Sequence, residues 1–396
     1  MRSACCSVHE KKEFLKVIYL DNSATTVVDS SVLESYTNVV TQLFANPSSI
    51  HGLGSEVEAM LSKAKSQIAQ LLHIQEDEII MTSGGTEGNN LAIKGIAHAR
   101  KRRGNHIITT VVEHPSVYET CQSLEKEGFD VTYLPVNEWG IIQISDLEEA
   151  ITDETILVTV MHVNNEIGSV QPIEEIGRLL KKHSHVAFHV DGIQSIGKIP
   201  IHLKRWNIDA CTFSAHKVHG VKGTGMLYKR KDLHIVPLFN GGSQEQGFRP
   251  GTEHVAGIIS FARALRIALE KQQNKNEHIR GISAMLYKEL EDFPFVQINS
   301  SQENGSPYIF HFSAPGLKPE VLIHMLGEKE IFVSTKSACS SKTKDESRVL
   351  LACGHDNQRA ATGIRVSMSY ETTHKEIETF IQSLQTAIKR LSKVME

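Results

Sequence analysis

Short apolar runs alternate with longer amphipathic stretches along most of the chain. The runs 17–20 (VIYL), 78–82 (EIIMT), 107–112 (IITTVV), 131–134 (VTYL), 156–163 (ILVTVMHV), 186–190 (VAFHV), 210–213 (ACTF) and 225–228 (GMLY) have strand length and composition. Between them, 55–73 carries Val57, Leu61, Ala64, Ile68 and Leu71 at helical spacing, with Ser55 and Glu58 as a capping box. Strand–helix–strand alternation predicts a mainly parallel sheet covered by helices on both faces. The pattern changes after about residue 272, where 271–278 (KQQNKNEH) is wholly polar. The C-terminal remainder reads as α+β and ends in a long helix near 374–395. Ile377, Phe380, Ile381, Leu384, Ile388 and Leu391 line one face of that helix, and Thr373 and Glu376 form its capping box. The expectation is a large α/β domain followed by a smaller C-terminal one. Residues 1–16 are polar without periodicity and read as a flexible extension.

Composition narrows the function classes. At 396 residues, 40% hydrophobic and 22% charged, the chain is globular and long enough for two or three domains. A net charge of −4 provides no positive field for direct nucleic-acid binding. No apolar run reaches the roughly 20 residues that span a bilayer, and 1–16 lack the apolar core of a signal peptide. The expected location is the cytoplasm. Six cysteines (Cys5, Cys6, Cys121, Cys211, Cys339, Cys353) form no CxxC pair and no zinc spacing, so free thiols and no metal are expected.

Several short motifs could carry chemistry. The stretch 192–198 (GIQSIGK) imitates a phosphate-binding P-loop, but Ile199 stands where the Mg²⁺-ligating hydroxyl belongs. No GxGxxG follows a strand either, so nucleotide chemistry is disfavoured. In 214–225 (SAHKVHGVKGTG), Lys217 follows a strand, at the sheet end where α/β sites gather; burial and neighbouring cations would make it a Schiff-base lysine, and otherwise it is a solvated loop lysine. Asp191 closes an apolar strand and either caps a turn or faces a cation such as a protonated pyridine nitrogen. His185 and His189 lie on a strand and read as packing residues rather than ligands. In 82–90 (TSGGTEGNN), Gly84, Gly85 and Thr86 open a helix with bare N–H groups, an anion site or an ordinary turn. His114, held extended by Pro115, could stack on a flat cofactor or move protons. Cys339 lies among small polar residues beside Lys336 and Lys342, which favour thiolate. Alone each motif is weak. Together they call for pyridoxal 5′-phosphate (PLP) and a mobile nucleophilic thiol.

At these residues the chain resembles the NifS/IscS-like cysteine desulfurases, fold-type I PLP enzymes of the class V aminotransferase family. The resemblance runs through YLDNSATT (19–26), NPSSIHGLG (46–54), TSGGTEGNN, VEHPSV (112–117), MHVNNEIG (161–168), HVDGIQSIGK (189–198), SAHKVHGVKGTG, RPGTEH (249–254), SACSS (337–341) and GIRVSMS (363–369). It implies a large PLP-binding domain over 25–272 with a mainly parallel seven-stranded sheet. It also implies a small domain from 17–24 and 273–396, and a homodimer. By resemblance, Lys217 is the Schiff-base lysine, Asp191 faces the pyridinium nitrogen, and His114 stacks on the ring and takes part in catalysis. Asn165 and Gln194 lie near the ring oxygen and substrate; Gly85, Thr86, Ser214 and His216 contact the phosphate, joined by Thr252 of the other subunit. Arg365 clamps the substrate carboxylate and Cys339 forms the persulfide. The implied reaction takes L-cysteine to L-alanine.

Around the cysteine the chain reads STKSACSSKT, with Lys336 where iron–sulfur-scaffold partners of the family carry glycine. This variant resembles NifS-like enzymes that serve tRNA thiolation through a 4-thiouridine synthase. The expected sulfur acceptor is therefore that synthase or an iron–sulfur scaffold, without direct contact to nucleic acid or membrane. Two other readings stand beside this one: a selenocysteine lyase or other class V aminotransferase-type enzyme, and a non-catalytic scaffold that only docks sulfur carriers.

Overall fold

A computed structural model describes residues 17–335 and 346–395. Twelve strands and eleven α-helices alternate along these residues. In chain order the strands are β1 (Ile18–Tyr19), β2 (Ile79–Thr82), β3 (His106–Thr110), β4 (Asp130–Leu134), β5 (Thr155–Met161), β6 (Ala187–Asp191), β7 (Ala210–Ser214), β8 (Gly225–Lys229), β9 (Gln297–Ile298), β10 (Ile309–Ser313), β11 (Ile331–Phe332) and β12 (Gly363–Ser367). The helices are α1 (Ser30–Gln42), α2 (Gly52–Leu72), α3 (Gly85–Arg100), α4 (Pro115–Lys126), α5 (Ile144–Ala150), α6 (Ile173–Leu180), α7 (Val255–Leu290), α8 (Pro319–Gly327), α9 (Arg348–Ala352), α10 (Asn357–Ala361) and α11 (His374–Met395).

The central sheet has seven strands in the order β2-β8-β7-β6-β5-β3-β4. Only β8 runs antiparallel to its neighbours. The inner parallel strands β5, β6 and β7 are buried along their whole length because helices cover both faces, which explains their continuous apolar runs rather than alternation. Their carboxyl ends therefore open at one edge, and β2, β3, β5, β6 and β7 each feed a site residue from there.

A second core lies around the small antiparallel sheet β12-β10-β9. Phe310, Phe312, Ile364 and Val366 pack there against Ile377, Phe380, Leu384 and Ile388 of α11. Ile18 and Leu20 join this core, with β1 pairing parallel to β11. Each such buried aliphatic or aromatic side chain contributes roughly 1.5–3 kcal/mol. Helix α7 links the two cores: Ile258, Phe261 and Leu265 belong to the first, and Ile279, Ile282 and Leu286 to the second.

Three local expectations change. The polar stretch 271–278, where the pattern changes between the two expected domains, lies inside one continuous helix as the exposed-to-half-buried middle of α7, where the helix passes from one core to the other. Helix α2 begins three residues before Ser55: His51 is extended and its Nδ1 accepts from the Gly54 N–H at 3.2 Å, so the cap is a histidine. The strand ends are shorter than the apolar runs, since Val111 and Val112 lie past β3. The box at α11 forms as expected, with Thr373 N–H donating to Glu376 Oε2 at 2.9 Å and Glu376 N–H to Thr373 Oγ1 at 3.3 Å. No helix among the described residues is long and apolar enough to cross a membrane.

Candidate active site

At the carboxyl edge of the large sheet lies a cavity of about 170 Å³ lined by Gly85, Thr86, His114, Asn165, Asp191, Gln194, Ser214, His216, Lys217 and Arg365. Widely separated stretches of the sequence meet there. Thr252 stands exposed outside it. Cys339, Lys336 and Lys342, like Cys5 and Cys6, lie outside the described residues. Cys121, Cys211 and Cys353 are buried and unbonded. Burial pushes the Cys121 and Cys353 thiols up to about 12 and that of Cys211 well above its ordinary value, so none of the three is a thiolate.

The floor of the cavity is the turn from β2 into α3. No side chain caps this helix, so the amides of its first turn stay open. A Cβ at Gly85 would come within 2.1 Å of Ile193 Cδ1, so a larger residue there would have to displace the Ile193 side chain. Ser214, at the end of β7, stands over this turn, and its buried Oγ has no hydrogen-bond partner. His216 Nδ1 lies 3.2 Å from Thr25 Oγ1. Burial, with Lys217, Lys222 and Lys198 adding repulsion, lowers His216 to about 3 and keeps it neutral.

Asp191 ends β6, only 4% exposed. Its Oδ1 accepts from Ile193 N–H at 3.0 Å and its Oδ2 from Asn89 Nδ2 at 2.9 Å. Burial still drives its carboxyl above the ordinary range, with those hydrogen bonds and Lys217 opposing. The same Asn89 amide donates to Ser116 Oγ at 2.9 Å, and Ser116 holds His114. His114 Nδ1 accepts from Ser116 N–H at 3.1 Å and faces Ser116 Oγ at 2.8 Å. A backbone N–H can only donate, so the neutral ring carries its proton on Nε2. Burial first, then Lys217 and Arg348, lowers His114 to about 4. A single asparagine thus orients both a carboxylate and an imidazole.

Lys217 Nζ donates to the Ser23 carbonyl and to the Ala24 carbonyl, the latter at 2.9 Å. Arg365, in β12, is 1% exposed. Its Nη1 donates to the Asn165 carbonyl at 2.8 Å and its Nη2 to Asp21 Oδ1 and Ser334 Oγ, both at 2.8 Å; its Nε has no partner.

A family model described as Aminotransferase class-V matches residues 18–380. The chain belongs to the class V aminotransferase family. The cysteine desulfurase IscS of Clostridium botulinum (strain Hall) is 41% identical to it over 378 residues, covering 95% of either chain. Among solved structures, a NifS-like protein superposes with a TM-score of 0.89 at 36% identity, covering 94% of this chain and 99% of its own. SspA in complex with cysteine superposes with a TM-score of 0.77 at 35% identity, covering 88% and 98%. This class V aminotransferase is a PLP-dependent enzyme of the cysteine desulfurase group.

The residues present fit that cofactor. Open amides at the α3 N-terminus and an orphaned buried hydroxyl on Ser214 suit a phosphate. A buried carboxylate that makes no ion pair among the described residues suits a ring cation.

Sequence reasoning missed Asn89, Ser23 and Arg348. Asn89 lies inside a recognisable motif, but nothing in TSGGTEGNN says which of two adjacent asparagines turns inward. The structure chooses Asn89, fully buried on the sheet side of α3, and leaves Asn90 to bond the Thr86 carbonyl. Arg348 donates to the carbonyls of Val111 and Glu113 and lies 4.0 Å from the Tyr118 ring centroid, fixing the segment that carries His114.

Proposed function

We propose that the protein converts L-cysteine to L-alanine and holds the released sulfur as a persulfide on Cys339 for a tRNA-thiolating acceptor. The observation that carries the desulfurase part is the meeting of Lys217, Asp191, His114 and Arg365 around one cavity, each from a different stretch of chain. The SspA neighbour bound to cysteine supports the substrate.

In this reading Lys217 bonds the cofactor, while Asp191 faces its ring nitrogen and His114 its ring face. Gly85, Thr86, Ser214 and His216 hold the phosphate, with Thr252 reaching in from the second subunit of a homodimer. Asn165 and Gln194 stand by the ring oxygen and the substrate. When bound, the cofactor supplies an acceptor for the electron pair left on the substrate carbon. The chain supplies the rest. Arg365 orients the substrate carboxylate. Lys217 is the base at Cα, because the Nε2 proton of His114 makes that ring a donor at the end facing away from Ser116. The Cys339 thiolate takes the substrate sulfur; the carbon–sulfur bond breaks, a sulfur–sulfur bond forms, and a proton returns to carbon to give alanine. The tRNA-thiolation reading is supported by STKSACSSKT, with lysines flanking the cysteine. The other reading, a selenocysteine lyase or other class V aminotransferase-type enzyme, shares this cavity, and an aminotransferase would not need the thiol.

Incubating the purified protein with L-cysteine should give equimolar alanine and a persulfide trapped on Cys339. Labelled sulfur should then pass to a 4-thiouridine synthase. Labelling of an iron–sulfur scaffold alone would reject the tRNA reading.

Arg365→Lys keeps the charge and loses the planar fork, so KM for L-cysteine should rise at least about tenfold, roughly 1.4 kcal/mol, with kcat changed far less. Steady-state kinetics read both. An unchanged KM would remove Arg365 as the carboxylate clamp.

A further inference from the structure

The P-loop-like stretch GIQSIGK folds into something other than a nucleotide site. After β6 the chain turns tightly, and Gly197 adopts φ +69°, in the left-handed region. A Cβ there would come within 2.7 Å of the Ala268 Cβ on α7, so the turn is pressed against that helix. The turn carries Lys198 inward instead of out to solvent, leaving it 6% exposed.

A buried ammonium needs a reason, because desolvation alone disfavours it. Lys198 Nζ donates to Gln194 Oε1 at 2.9 Å, and no carboxylate of the described residues lies within ion-pair reach. The groups facing it are Lys217, His216 and His219 from the segment after β7, Arg365 of β12, and the Tyr308 and Tyr370 phenols; α7 contributes only Ala268. Burial, with repulsion from Lys217 and Arg365, brings Lys198 down to about 7.

This placement acts on two neighbours. An ammonium can only donate, so Gln194 must turn its oxygen toward Lys198 and its nitrogen the other way. Gln194 Nε2 indeed donates to the Ser23 carbonyl at 3.0 Å, and its second N–H remains for the cavity it lines. The same Ser23 carbonyl accepts from Lys217 Nζ. Lys198, Gln194, the Ser23 carbonyl and Lys217 therefore form one alternating chain of donors and acceptors, with a cation at either end.

We propose that Lys198 is a positioning residue of the catalytic site: it fixes the orientation of the Gln194 amide and its charge lowers the proton affinity of the Lys217 nitrogen. It acts from behind the cavity and does not touch substrate. This rests on the reading of Lys217 as the cofactor-bonded lysine.

The test is a pH titration of the visible absorbance of the PLP-loaded, full-length protein, comparing it with Lys198→Met and Lys198→Gln. Lys198→Gln retains a polar partner for Gln194 and guards against a variant that does not fold. In both variants the midpoint should rise by about one pH unit, a tenfold gain in proton affinity, because a like charge has been removed. A midpoint within about 0.2 unit of the unaltered protein, in either folded and loaded variant, would overturn the proposal. Failure of the underlying Lys217 assignment looks different: the unaltered protein itself would show no titrating absorbance, and the role of Lys198 would fall with it.

Discussion

Cys339→Ser should give a yellow, cofactor-loaded protein that makes neither persulfide nor alanine from L-cysteine. The loss should be at least about three orders of magnitude, as when a covalent nucleophile is removed. None of the described cysteines can substitute. Cys121, Cys211 and Cys353 are buried, with thiols held protonated by lack of water. The serine hydroxyl cannot accept sulfur at neutral pH. Alanine release, trapped persulfide by mass spectrometry and visible absorbance are read on one sample. Retained absorbance with alanine output intact would point to chemistry that expels sulfur without a thiol, and so to the selenocysteine-lyase-type reading.

Asp191→Asn should lower kcat by roughly 10²–10⁴-fold, the equivalent of about 3–5 kcal/mol for removing one member of a buried charge pair. The change is nearly isosteric, but its chemistry is wrong twice. The anion proposed to face the ring nitrogen disappears. In addition, if Ile193 N–H keeps its acceptor, the new amide nitrogen points at the Asn89 nitrogen that formerly donated to Oδ2. Asn89 can flip, since its Oδ1 has no other partner, but Ser116 then loses its donor and His114 its support. Stability should respond differently. Burial raises the Asp191 carboxyl in the folded protein, so without cofactor the folded state binds more protons than the unfolded chain. Stability from this group is therefore lost as pH rises from the unfolded value toward the folded one, and an uncharged side chain removes that penalty at neutral pH. The cofactor-free variant should melt within about 1–2 °C of the parent, a shift worth about 1 kcal/mol for a chain of this length. A large drop in melting temperature would mean that Asp191 serves the fold more than the reaction.

How much of this is legible in the sequence depends on whether a residue's role is set locally. The strands β5, β6 and β7 can be read because a sheet covered on both faces demands unbroken apolar runs. Asp191, Lys217 and His114 stand out because polar groups follow those runs at the sheet edge. The start of α2 cannot be read: a serine with a glutamate three residues on satisfies the local rule, yet His51 supplies the cap earlier. The polar centre of α7 misleads for the opposite reason, since loss of apolar periodicity marks a gap between two cores as well as it marks a loop. Asn89, Ser23 and Lys198 are invisible because their partners are 102, 194 and 4 residues away, and only the close turn at Gly197 makes even the nearest meet. The sequence around Lys198 advertises a phosphate chemistry that the residue does not perform.

The pairing of β1 with β11 bears on how the chain is made. Ile18 and Leu20 leave the ribosome long before the last of their packing partners, which extend to Ile388. At about 5–20 residues per second, that gap lasts on the order of 20–70 s. The first core, which needs nothing beyond Leu269, can close during this interval, while an apolar leading segment waits unpaired. Translation speed and chaperone supply should therefore govern the yield of folded protein through this one short strand.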